Sequence, residues 1–240
     1  MKERLNQVKI VDVFEKCWKE LLKDYEKNRL FNVYCSEADI QLHLACKLLK
    51  KLHPPVCVYV EFPIPFEIDD FMFQRFSLGR TRRTMKKGKG IVTDIVVMGA
   101  EDLVPTIIVE IKYGPFIWNF FPILYAIAGK SKEEDRKNVK IDLQREIKRL
   151  HAWEKLGPSE AVLTYHLKNI DKIIQLIKNF KEKVNESVDA YLCVINEIYP
   201  NLGQMLEKEI EKYNPPTEFK LLFHHYPVRS WMEEQLKKFE

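Results

Sequence analysis

The sequence predicts an α/β fold, a central mixed β-sheet flanked by helices, and three observations carry that expectation. Amphipathic helical runs open the chain, three β-branched runs bounded by Pro or Gly follow at close spacing, and helical and β-branched runs alternate downstream. The 240 residues are 46% apolar and 31% charged, which supplies a sizeable core and excludes a disordered tail. One domain over residues 1–240 is expected.

Each element has a local cause. Over residues 7–29, Val8, Val11, Phe14, Trp18, Leu21, Leu22 and Tyr25 recur at helical spacing with Lys and Glu on the other face. A second helix starts at Ser36, a natural N-cap with acids in the first turn, and carries Ile40, Leu44, Leu48 and Leu49 until His53-Pro54-Pro55 stops it. VCVYVEFPI (56–64), GIVTDIVVMG (90–99) and PTIIVEIKYG (105–114) are β-branched and bounded by turn residues, so they read as three strands. Between the first two, FMFQRFSL suits a hairpin, and GRTRRTMKKGKG suits an exposed basic arm or loop.

GPFIWNFFPILYAIAG (114–129) is too short for a membrane span and is interrupted by Asn119 and Pro122, so it reads as a buried turn and short helix. A long helix follows over 131–157, with Val139, Leu143, Ile147, Leu150 and Trp153 on one face and Gly157-Pro158 as its stop. Residues 160–167 read as a strand, 169–184 as a helix and 189–196 as a strand. The tail adds a helix near 201–213, an edge strand over 219–226 and a short terminal helix.

Composition removes several function classes. Thirty-nine Lys plus Arg against 35 Asp plus Glu give a charge of +4, which permits an anionic partner without demanding one. Cys17, Cys35, Cys46, Cys57 and Cys193 are odd in number, form no C-x-x-C pair and match no iron–sulfur spacing, so reduced thiols are expected. The opening residues carry too many charges for a signal peptide, which predicts a cytoplasmic protein with no membrane association. Gly129-Lys130-Ser131 lacks the glycine and the leading strand of a P-loop, so no nucleotide cofactor is expected. The six histidines lack metal-ligand spacing, and nothing marks a nucleophile elbow or an activated thiol.

The informative constellation is Asp94 in the second strand with Glu110 and Lys112 in the third. Side chains alternate across a strand, so Glu110 and Lys112 share a face that Asp94 can also reach. Ionised groups in a Val/Ile-rich strand must be paired or metal-bound. A hard divalent cation, Mg²⁺ or Mn²⁺, would neutralise two carboxylates and turn the site hydrolytic, with Lys112 orienting the attacking water. In isolation an E-x-K triplet is equally an ordinary salt bridge on an exposed strand. The segment from Phe71 to Thr93 holds Arg75, Arg80, Arg82, Arg83, Lys86, Lys87 and Lys89 and no acid, which suits contacts to a phosphate backbone; Phe71, Phe73 and Phe76 either stack or pack beneath it. A solvated loop is the alternative.

Ser36-Glu37-Ala38-Asp39-Ile40-Gln41 opening a helix, Glu61-Phe62-Pro63-Ile64 ending a strand, Thr93-Asp94, and Glu110-Ile111-Lys112-Tyr113-Gly114 together resemble the PD-(D/E)xK phosphodiesterase superfamily, the restriction-endonuclease-like nucleases. Thr93 stands where the family name has proline. The resemblance covers about residues 36–167 and implies an αβββαβ core, with a helical N-terminal extension over 1–35 and an α/β C-terminal extension over 168–240. It implies a Mg²⁺- or Mn²⁺-dependent endonuclease acting on DNA. Asp94, Glu110 and the Ile111 carbonyl are then metal ligands, Lys112 the water-orienting residue, and Glu37 a helix acid reaching the metal directly or through water. Glu61, Tyr113 and Gln144 are secondary candidates, Glu61 and Gln144 being equally well explained as exposed residues. A homodimer is a further expectation, with no interface identified. The competing reading is a catalytically inactive module of the same fold that binds nucleic acid.

Overall fold

Alternating β-branched runs need partners for their backbone groups, and here they find them in one open mixed sheet. A computed structural model describes residues 2–28, 36–65, 90–99, 105–114, 123, 126–129, 131–183 and 187–239. Among them, β1 (Val56–Pro65), β2 (Gly90–Gly99), β3 (Pro105–Gly114), β4 (Asp189–Asn196) and β5 (Phe219–His225) lie side by side in chain order. β1, β2 and β3 run antiparallel to their neighbours, while β3, β4 and β5 are parallel. The helices are α1 (Lys2–Asn28), α2 (Glu37–Lys51), α3 (Glu133–Leu156), α4 (Glu160–Leu167), α5 (Ile170–Lys183), α6 (Leu202–Glu211) and α7 (Val228–Leu236).

Two apolar layers cover the sheet. On the first face, Phe14, Trp18 and Leu21 of α1, Ile40, Leu44 and Leu48 of α2 and Leu143 and Leu150 of α3 pack on Ile95, Val97, Ile107, Val109 and Ile111. On the second, Ile173, Ile177 and Phe180 of α5 and Leu202, Leu206 and Ile210 of α6 pack on Val96, Met98, Ile108, Leu192 and Val194. β4 is buried on both sides, which explains why its sequence runs apolar without alternating. Fully burying side chains of this size contributes about 1.5–3 kcal/mol each before entropy is counted.

Local signals act as expected at α2, where Ser36 Oγ accepts from Asp39 N at 3.3 Å. They mislead at residues 160–167, expected as a strand. That stretch is α4, because Ser159 Oγ accepts from Val162 N at 3.4 Å and Glu160 fills the first turn. The next strand after α3 is therefore β4, reached only after α4 and α5, so the order along the chain is α2-β1-β2-β3-α3-α4-α5-β4. Cys17, Cys46, Cys57 and Cys193 are free thiols. No helix among the described residues is long and apolar enough to cross a membrane.

Candidate active site

The site forms where β2 and β3 part. Their pairing runs from Met98 with Pro105 to Ile95 with Val109 and ends there. One residue further, Asp94 Oδ2 accepts the Ile111 backbone N–H at 2.5 Å, so a side chain takes a bond that a ladder carbonyl would otherwise hold. Gln41 of α2 donates to the Asp94 carbonyl at 2.5 Å and fixes the other side of the gap.

Glu110 and Lys112 share the face of β3 that carries Ile108, as strand alternation requires, while Ile107, Val109, Ile111 and Tyr113 take the opposite face. Their charged ends are 2.7 Å apart, with side chains 5% and 6% exposed. Lys112 Nζ also donates to the Ile111 carbonyl at 3.1 Å, and Asn169 Nδ2 donates to Glu110 Oε1 at 3.2 Å. Both ions are thus paired and hydrogen-bonded, the condition for keeping charge inside a sheet.

Glu37, the first residue of α2, accepts the Tyr113 backbone N–H at 3.3 Å on Oε1, and the same oxygen accepts the Tyr165 hydroxyl of α4. Lys112 Nζ lies 5.8 Å from the Tyr165 ring centroid. The charges are mutually felt. Burial, then Glu110, pushes the Asp94 carboxyl up to about 6; Glu37 adds to this, while the Ile111 N–H and Lys112 oppose it. Burial and Glu37 raise the Tyr165 phenol, which keeps it a hydrogen-bond donor.

The structure therefore brings together Asp94, Glu110, Lys112 and Glu37, with the Ile111 backbone between them. The secondary candidates fall elsewhere. The Tyr113 ring lies on the opposite face, where its hydroxyl donates to Glu197 Oε1 at 3.4 Å; only its backbone reaches the site. Glu61 is exposed on β1 at φ 50, a left-handed break that returns Tyr59 and Phe62 to one face. Gln144 is exposed on α3, whose apolar side covers the other face of the sheet. The basic residues Arg75, Arg80, Arg82, Arg83, Lys86, Lys87 and Lys89 lie outside the described residues.

Three residues join the site without any sequence signal having marked them: Tyr165, His166 and Asn169. All come from the stretch expected as a strand and its exit turn. Asn169 sits at φ 73, a conformation asparagine tolerates, and this turn aims its amide at Glu110. His166 is 2% exposed, and its Nδ1 donates to the Val162 carbonyl at 2.7 Å, so Nε2 carries the lone pair. That Nε2 has no hydrogen-bond partner among the described residues. Burial depresses the imidazole below its ordinary value, the Val162 carbonyl pulls it back and Lys112 depresses it further. Gly114 is required here: a β-carbon on it would lie 2.6 Å from Asn196 Nδ2 and 3.6 Å from His166 Nε2.

Among the described residues, no group of three or more His, Cys, Asp or Glu side chains is gathered as a metal site. The donor set nonetheless fits a hard divalent cation of the kind that uses one or two carboxylates and keeps its waters. Asp94, whose carboxyl is raised to about 6, and Glu110 are two carboxylates of the type such a cation uses. No protein-family model, curated protein or solved structure matches the chain.

Proposed function

We propose that this chain is a metal-dependent endonuclease of the PD-(D/E)xK type, hydrolysing phosphodiester bonds in DNA. The observation that carries the reading is the convergence of half-buried Asp94 with the buried Glu110 and Lys112 at the point where β2 and β3 separate, with Glu37 delivered from α2. A purely structural salt bridge explains Glu110 and Lys112 but not a second carboxylate beside them at Asp94, its pKa raised to about 6.

In this reading Asp94 and Glu110 hold Mg²⁺ or Mn²⁺, with the Ile111 carbonyl as a further oxygen donor. A bound ion of this class would supply Lewis acidity to the phosphate and to an attacking water. Lys112, already an N–H donor to Glu110 and Ile111, orients the water or takes part in moving its proton. Glu37 supplies negative charge from the first turn of α2 and is positioned by two donors. The acid-free segment 71–93 would grip the DNA backbone.

The second reading is a non-catalytic nucleic-acid-binding module, favoured by one observation: Lys112 already neutralises Glu110 with no cation needed. A panel of labelled duplex, single-stranded, flap and branched DNAs, incubated with Mg²⁺, Mn²⁺ or chelator, separates the two. Metal-dependent cutting on any of them supports the nuclease. Metal-independent binding with no cutting on every substrate supports the module.

A further inference from the structure

We infer that Tyr165 is a positioning residue for the proposed metal site: its hydroxyl fixes the Glu37 carboxylate so that one oxygen stays free for the cation or its water. The inference rests on the nuclease reading of the same site. Glu37 Oε1 accepts two donors, the Tyr113 N–H at 3.3 Å and the Tyr165 hydroxyl, and Oε2 makes no hydrogen bond among the described residues. The division is chemically useful. A carboxylate at a helix start has free torsions, and two donors on one oxygen restrain them and leave the other oxygen without a donor among the described residues.

The Tyr165 hydroxyl also lies 3.5 Å from the Tyr113 carbonyl, so it bridges the E-x-K strand and α2. The residue is 41% exposed, beside the Lys112 ammonium rather than inside an apolar layer. That exposure separates positioning from packing. Deleting only the hydroxyl leaves the ring where it is and opens no core cavity, so Tyr165→Phe should fold like the wild type. Partners that orient ligating carboxylates typically change metal affinity by about 10- to 100-fold when removed.

The test is Mn²⁺ binding to the full-length chain, read by loss of the free-ion electron paramagnetic resonance signal, with thermal melting on the same samples. Wild type, Tyr165→Phe, Glu37→Gln, the Tyr165→Phe/Glu37→Gln double variant and Asp94→Asn are compared. The expected result is a wild-type site lost in Asp94→Asn and weakened about 10- to 100-fold in Tyr165→Phe, with the melting temperature held within about 2 °C. In the Glu37→Gln background the Tyr165 substitution should add nothing, because its effect passes through Glu37. Wild-type affinity in Tyr165→Phe, with Asp94→Asn still defective, overturns the inference and leaves the nuclease reading standing. A full additive loss in the double variant also overturns it. Absence of any Mn²⁺ binding by the wild type overturns both.

Discussion

Lys112 and Glu110 close on each other at 2.7 Å from one face of β3, each buried to within a few per cent. Removing one ion of such a pair leaves the other uncompensated, at a cost of about 3–5 kcal/mol. Lys112→Met should therefore lower unfolding stability by about that amount at pH 7, as well as abolish cleavage. Adding Glu110→Gln should return most of the loss, since two neutral side chains of similar volume replace two ions. Urea unfolding of the single and double variants decides this; a single variant within about 1 kcal/mol of wild type would mean that the pair is not held out of water.

Asp94 predicts a pH dependence. Its carboxyl sits at about 6 in the folded chain against an ordinary 3.8, with burial the main cause and Glu110 the next. A raised carboxylate pKa means that the folded state holds its proton more tightly, so this group's contribution is most favourable below the ordinary value and is lost as pH rises toward the folded one. The gap corresponds to about 3 kcal/mol at most. In metal-free protein, Asp94→Asn should match wild type near pH 4 and be more stable at pH 7, because the amide oxygen still accepts the Ile111 N–H. Subtracting the variant's stability–pH curve from the wild type's isolates the effect. A variant less stable than wild type at pH 7 would contradict it.

Asn169 links backbone strain to the site. It holds φ 73 between α4 and α5 and donates to Glu110. Asn169→Gly keeps the turn and deletes the amide, whereas Asn169→Ala deletes the amide and adds about 1–2 kcal/mol of left-handed strain. Both should slow cleavage. The alanine variant should be the less stable by about 1 kcal/mol in denaturant titration, and equal stability would remove the strain argument.

The basic segment predicts salt dependence rather than base preference. Replacing Arg80, Arg82, Arg83, Lys86, Lys87 and Lys89 with glutamine should weaken DNA binding and flatten the slope of log affinity against log salt by about 0.9 for each phosphate that is no longer neutralised. An unchanged slope would show that this segment does not meet the phosphates.

Much of this arrangement is legible in the residues. Helical spacing marks α1, the Ser36 cap marks α2, and β-branched runs mark β1, β2 and β3 with the acids and lysine in place. α4 is not legible, because Val162, Leu163, Thr164 and Tyr165 favour a strand and outweigh Ser159 as a cap. Without that helix, Tyr165 and His166 have no reason to reach the site. Tyr25 falls on the apolar side of α1 as its spacing predicts, yet its partner Glu197 is invisible in the sequence, since a bond between residues 172 positions apart leaves no local pattern. The Tyr113 ring departs from expectation for a simpler reason: alternation on β3 sends residues 110 and 112 one way and 113 the other.

Whether Asp94 holds a catalytic metal is decided by cleavage of the best-cut DNA substrate by wild type and by Asp94→Asn, each verified as folded by circular dichroism, with Mg²⁺ and with chelator. Wild type should cut in Mg²⁺ alone, and the variant should lose at least about 100-fold in rate. Equal cutting by both proteins, or cutting that survives the chelator, would contradict a metal-dependent site built on Asp94.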